Sequence, residues 1–156
     1  TINAAFPQDT VAILNCNIDG SNPEWLGYCY ELCQKAGALD FFITPVTMKK
    51  NRPGFLLELL CKVEQLEEMA QLLFTHTTTS GIRYRLENRF VLPRSYREIS
   101  LPWGKVRIKQ NGSQTLTTYA PEYEDCKALA QKSGLPLKTI YAAALAALPI
   151  EEKKID

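Results

Sequence analysis

Apolar positions along the chain switch between two spacings. The stretch Val11-Ala12-Ile13-Leu14-Asn15-Cys16-Asn17-Ile18 predicts a strand, closed by the polar turn Asp19-Gly20-Ser21-Asn22. Leu26, Cys29, Tyr30, Cys33 and Ala36 then recur at helical spacing. Ser21 and Glu24 have the separation of a capping box, Pro23 suits a first helical turn, and Gly37 is the expected stop. Residues 41–48 and 54–62 predict two further strands, joined by the basic loop Lys49-Lys50-Asn51-Arg52-Pro53. Leu66, Met69, Ala70 and Leu73 mark a second amphipathic helix to about residue 74, and residues 82–92 alternate as a fourth strand.

That order, β-α-β-β-α-β, is the order of a ferredoxin-like split βαβ sheet. Both helices are expected on one face of the sheet, with the other face left free. Beyond Pro93 the pattern shortens. Residues 95–101, 105–110 and 113–119 predict small strands, separated by Pro102-Trp103-Gly104 and by Asn111-Gly112, a two-residue hairpin signal. Helices follow at about 121–133 and 136–148. The expected fold class is therefore α+β. A ferredoxin-like subdomain covers 11–92, a β-hairpin and two-helix subdomain covers 93–148, and 1–10 and 149–156 are flexible ends.

Composition narrows the function classes. The 156 residues are 46% hydrophobic and 22% charged, which is globular rather than disordered. A formal charge of +1 argues against non-specific nucleic-acid binding as the main role. The apolar stretch 141–150 is half the length needed to span a bilayer, so no membrane partner is expected. No signal peptide is evident and the first residue is Thr1, which reads as a piece or a processed product of a longer chain. Cys16, Cys29, Cys33, Cys61 and Cys126 form an odd set without CxxC spacing. Reduced, mostly buried thiols in a cytoplasmic protein are expected.

Three clusters carry candidate chemistry. Lys49, Lys50 and Arg52 crowd one loop, and cations held on a stiff turn suit a polyphosphate; a solvated turn that blunts a sheet edge is the alternative. Thr77-Thr78-Thr79-Ser80-Gly81-Ile82-Arg83 places hydroxyls and an Arg after a helix. A helix C-terminus repels anions, so phosphate binding there would depend on Thr77, Thr78, Thr79, loop amides and Arg83; a Thr-rich connection is the alternative. Glu122, Glu124 and Asp125 fall in one helical turn, where they suit the helix dipole and could equally hold a divalent cation. Softer metal sites are scarce: His76 is the single histidine, and Cys29 and Cys33 share the i, i+4 spacing of a buried stripe.

Nucleic-acid readings are weaker. Residues 54–59 lack the exposed aromatics of an RNA-binding sheet, although residues 81–109 hold eight basic and two acidic side chains. The last two predicted helices offer only Lys138 and Thr139 as base readers on the second.

Taken in order, Gly37-Ala38-Leu39-Asp40, residues 44–54 (Thr-Pro-Val-Thr-Met-Lys-Lys-Asn-Arg-Pro-Gly), residues 77–83 and Pro121-Glu122-Tyr123-Glu124-Asp125-Cys126 resemble one family. It is the C-terminal domain of the nickel-insertion proteins of the nickel-pincer nucleotide pathway, which supplies the cofactor of lactate racemase. The resemblance runs from about Val11 to Ala147. One departure is Asp19-Gly20, where the family more usually has two adjacent Asp.

The resemblance implies a CTP-dependent cyclometallase, a lyase that hydrolyses CTP to CMP and pyrophosphate with Mn²⁺ or Mg²⁺. Nickel is inserted into a pyridinium bisthiocarboxylate mononucleotide. It also implies homo-oligomers and a longer N-terminal region of the same protein as partner. Lys49, Lys50, Arg52 and Arg83 are then countercharges for the triphosphate, Thr77, Thr78 and Thr79 hydroxyl donors, and Asp40 a ribose or base contact. Glu122, Glu124 and Asp125 are candidates for the cation, and no catalytic residue is assigned. A non-catalytic nucleotide-sensing module on the same fold is the chief alternative, and an RNA-binding protein the third.

Overall fold

The structure, a computed structural model, describes residues 6–113 and 116–149. The chain folds as two compact units, Gln8–Phe90 and the part from Val91 onward together with the residues before Gln8. Residues 150–156, most of the end expected to be flexible, and residues 1–5 lie outside the described residues.

The first unit runs β1 (Gln8–Asp19), α1 (Pro23–Lys35), β2 (Asp40–Met48), β3 (Arg52–Lys62), α2 (Leu66–His76) and β4 (Arg83–Phe90). Its strands pair antiparallel in the order β2-β3-β1-β4, the ferredoxin-like arrangement. Three details depart from the sequence reading. β1 begins at Gln8, inside the stretch expected to be a flexible lead-in, because the chain there pairs with β4: Gln8 lies opposite Phe90, and Arg89 donates to the Asp9 carboxylate at 2.7 and 3.0 Å. The cap of α1 is Asn22, whose Oδ1 accepts from the Glu24 amide at 2.9 Å, rather than Ser21.

The face opposite the helices is the third departure. Alternation along β1 sends Ala12, Leu14, Cys16 and Ile18 toward α1 and α2, where they meet Leu57, Leu59 and Cys61 of β3, Leu26, Cys29 and Cys33 of α1, and Met69 and Leu73 of α2. Each Leu fully removed from water here contributes roughly 1.5–3 kcal/mol. The reverse face is closed at its centre, since Val11, Ile13 and Asn15 are also buried. Around Asn15 a polar network replaces open surface: its Nδ2 donates to Glu58 at 2.7 Å, and Arg85 donates to its Oδ1 at 2.7 Å and also to Glu87. The outer strand β4 is divided by its own pleat. Tyr84, Leu86 and Phe90 project to one side and are exposed, while Arg83, Arg85 and Arg89 project to the other.

The second unit is a three-stranded antiparallel sheet, β5 (Arg94–Leu101), β6 (Gly104–Ser113) and β7 (Leu116–Pro121), with α3 (Tyr123–Ser133) and α4 (Leu137–Ala146). Val106, Ile108, Cys126, Leu129, Ile140 and Ala144 form its core. Asn111-Gly112 is not the turn expected from its sequence. It lies inside the ladder, Asn111 opposite Thr118 and Gly112 opposite Thr117, and the pairing runs on to Ser113 opposite Leu116. Gly112 has another duty there: φ is +98°, and a Cβ would sit 1.6 Å from the Leu116 carbonyl oxygen. No helix among the described residues is long and apolar enough to cross a membrane.

Candidate functional site

The basic loop is a strained tip rather than a flexible one. Met48 still pairs with Arg52, so the reversal is left to Lys49, Lys50 and Asn51, a single 3₁₀ turn. Two consecutive non-glycine residues are left-handed, Lys50 at φ 59° and Asn51 at φ 56°. For a long side chain such as Lys this costs about 1–2 kcal/mol, and strain of this kind is concentrated where a site fixes the position of its groups. Gly54 completes the tip. A Cβ there would meet Met48 Sδ at 2.3 Å and the Ile18 carbonyl at 2.8 Å, so glycine is what lets Met48 lie across the hairpin.

Sheet register then brings two of the candidate cations to one groove. Arg83 opens β4 opposite Asn15, and Asn17, two residues on, lies opposite Leu56, so all four share the face away from the helices. Arg83 Nη2 donates to Asn17 Oδ1 at 2.7 Å, which orients the guanidinium. The resulting groove, about 630 Å³, is lined by Asn17, Val46, Thr47, Met48, Lys49, Leu56 and Arg83. Its floor is apolar and its rim carries two positive charges. Arg52 stands apart, 3.9 Å from the Asp19 carboxylate with its side chain 59% exposed, a pairing worth little in water. Lys50 is exposed at the tip.

The threonines divide between structure and surface. Thr77 Oγ1 donates to the Leu73 carbonyl at 2.7 Å and accepts from the Thr79 amide at 3.2 Å, so it closes α2. Thr79 Oγ1 donates to the Gly81 carbonyl at 2.9 Å. Thr77 and Thr78 line a different cleft, of about 300 Å³, with Trp25, Tyr28, Thr75 and His76. Asp40 is distant from the basic turn. It begins β2, eight residues before Met48, which is about 26 Å along an extended strand, and its Oδ1 accepts from the Phe41 amide.

All five thiols are free and buried. Burial pushes Cys16 up to about 11, against a hydrogen bond from Thr79 and the Arg83 charge, both of which lower it. The hydrogen bond between Cys29 and Cys33 lowers the first and raises the second, as when one thiol donates to its neighbour, and burial opposes ionisation of both. Among the described residues no three His, Cys, Asp or Glu side chains converge as a metal-binding group.

The acidic cluster lies in the second unit. Asp125 is held by Arg107, whose backbone amide, Nε and Nη2 all donate to it at 2.9 Å. It ties α3 to β6, and both its oxygens are used. Glu124 approaches Lys127 at 3.7 Å. Thus the trio does not fit a resident divalent cation, because Asp125 is already neutralised by Arg107 and Glu124 lies near Lys127. The Arg107 guanidinium holds the Asp125 carboxyl below its ordinary 3.8. Between that depressed value and the unfolded one, the unfolded chain binds more protons, so stability falls with acid. Asp125→Asn is therefore expected to be less stable than wild type by about 1–2 kcal/mol at pH 7. The gap should narrow as pH drops below about 4. Urea titrations at pH 7 and pH 3.5 measure this, and an unchanged gap would mean the ionised carboxylate contributes nothing.

Sequence reasoning missed Asn17, Val46, Met48 and Leu56 as groove residues, and Trp25 and Tyr28 as cleft residues. The first group is found only once strand register is known. The second had a signal: two large aromatics at i, i+3, off the Leu26–Cys29–Cys33 stripe.

Comparison with known proteins gives a consistent result. Residues 1–141 match the family described as nickel insertion protein. A protein of Acetivibrio thermocellus, a pyridinium-3,5-bisthiocarboxylic acid mononucleotide nickel insertion protein, is 42% identical over 94% of this chain and 36% of its own length. A putative nickel insertion protein of Dictyoglomus thermophilum is 44% identical over 82% of this chain and 33% of its own. The chain thus spans about a third of the length of these relatives. Among solved structures, the apo C-terminal domain of a cyclometallase involved in synthesis of the NPN cofactor of lactate racemase superposes with a TM-score of 0.85 at 37% identity. That match covers 90% of this chain and 98% of that one. A Methanopyrus kandleri protein, 20% identical with a TM-score of 0.63 over 97% of this chain and 99% of its own, shares the fold alone.

Proposed function

The chain belongs to the nickel insertion protein family, and from that premise we propose that it is the CTP-binding part of a cyclometallase that inserts nickel into a pyridinium bisthiocarboxylate mononucleotide. The observation that carries this reading is the groove at the strained basic turn, where Lys49 and Arg83 stand on the rim of an apolar floor. A triphosphate brings about four negative charges, and cations fixed in advance by strain and by Asn17 lose little entropy in meeting them. Val46, Met48 and Leu56 would receive the ribose or base. Lys50 and Arg52 would add charge from the exposed side of the turn, Thr77 and Thr79 shape the end of α2, and Asp40, at the far end of β2, is not part of this groove.

The divalent cation of the reading, Mn²⁺ or Mg²⁺, enters with the phosphates. When bound it neutralises charge on the leaving pyrophosphate. The acidic turn of α3 is not assigned to it, since Asp125 is held by Arg107 and Glu124 approaches Lys127. Nickel is cargo in this scheme, and the buried thiols are core residues rather than ligands for it. The larger N-terminal region of the relatives supplies the remainder of the active site, and a homo-oligomer is the expected assembly.

The test is calorimetric titration with CTP and Mn²⁺, followed by assay for CMP and pyrophosphate. Micromolar binding is expected. Binding without turnover would assign hydrolysis to the longer protein or favour a nucleotide-sensing module, and no binding at all would overturn the reading.

A further inference from the structure

The second cleft of the first unit has a chemistry unlike that of the groove. It lies between the first turns of α1 and the C-terminal end of α2, and its walls are Trp25, Tyr28, Thr75, His76, Thr77 and Thr78. Trp25 and Tyr28 are 55% and 56% exposed and stand at i, i+3 on one side of α1, where both line this cleft. Tyr28 and His76 meet at near right angles, with ring centroids 5.6 Å apart.

Two features of the cleft favour a flat cation. Trp and Tyr are the ring systems whose faces attract cations most strongly. The end of α2 presents the negative pole of its dipole, which is wrong for a phosphate and right for positive charge. At about 300 Å³ the cleft is the size of a substituted single ring rather than a whole triphosphate nucleotide. The first turn of α1 contributes the opposite pole, and with the Thr78 hydroxyl it suits acidic substituents on such a ring.

We infer that this aromatic cleft is the docking site for the pyridinium ring of the nickel-accepting mononucleotide, separate from the nucleotide groove at Lys49 and Arg83. The inference rests on the function proposed above for its ligand class, while its geometry is independent of the groove. It assigns Trp25 and Tyr28 the recognition of the ring's positive charge and Thr78 a contact to an acid substituent.

The experiment uses the whole chain and a simple pyridinium probe, nicotinic acid mononucleotide, with its neutral-ring dihydro form as the comparison. Binding of each is followed by calorimetry, and CTP is titrated into the same samples. The charged ring should bind at least about five-fold more tightly than the neutral one. Trp25→Ala and Tyr28→Ala should each weaken the probe by a similar factor and leave CTP affinity unchanged. Because both side chains are exposed, circular dichroism should show unaltered folding, and Trp25→Phe should restore part of the affinity. Equal binding of the two ring forms, no probe binding, or undiminished binding to Trp25→Ala overturns the inference even where CTP still binds. Loss of CTP affinity in Trp25→Ala overturns it too, since the cleft would then belong to the groove. Probe binding in a chain that does not bind CTP supports the inference and rejects the groove reading instead.

Discussion

Alanine at both Lys49 and Arg83 is expected to weaken CTP binding by about a thousand-fold. A charge-assisted hydrogen bond contributes roughly 1.5–3 kcal/mol, and about 1.4 kcal/mol is a factor of ten. Each single substitution should then cost about ten- to a hundred-fold. The two cations meet one ligand at one rim, so their effects need not add, and the double variant is the informative one. Asn17→Ala should give a smaller loss, because it removes the 2.7 Å bond that orients Arg83 but not its charge. Arg52→Ala should cost least among the basic residues, given its exposure and its partner Asp19. All titrations belong at one ionic strength, since exposed charges are screened within about 8 Å at physiological salt. Wild-type affinity in the double variant would move the phosphate site elsewhere.

Leu59→Ala should produce the largest loss of stability. Leu59 lies on the central strand β3, opposite Leu14 of β1 and Phe41 of β2, and none of its surface reaches solvent. Truncation removes the side chain from a site flanked by two strands and covered by helices, which limits collapse. The expected cost is about 3–4 kcal/mol. Leu59→Met, which nearly conserves volume, should cost under about 1.5 kcal/mol. Urea unfolding midpoints of the three proteins decide the matter, and a loss below about 1 kcal/mol for alanine would mean the helices seal that face poorly.

Much of this architecture is legible in the sequence because periodicity reports burial directly. The stretch 11–18 is legible as a strand and Leu26, Cys29 and Cys33 as a helix stripe, and both contribute to one core. What periodicity cannot report is a partner far along the chain. Gln8, Asp9 and Thr10 look structureless until β4 arrives beside them, and Asn111-Gly112 looks like a turn until Leu116 and Thr117 claim it for a ladder. Capping failed for a related reason. Ser21 and Asn22 are both good caps, and only the extended backbone at Asn22 decides between them. For the site, charge density picked out Lys49 and Arg83 separately. Their convergence depends on β4 lying next to β1, which no local pattern contains.

The division of β4 bears on how the protein behaves in concentrated solution. Among the described residues β4 has one strand neighbour, β1, and so forms an edge of its sheet. Tyr84, Leu86 and Phe90 make that edge sticky. Arg83, Arg85 and Arg89 alternate with them, and two of the three are neutralised within the chain, Arg85 by Glu87 and Arg89 by Asp9. Charge is therefore a weak guard on this edge, and screening it with salt should change little. Behaviour in concentrated solution should instead follow the apolar side, so that Leu86→Lys should slow aggregation at low and high ionic strength alike.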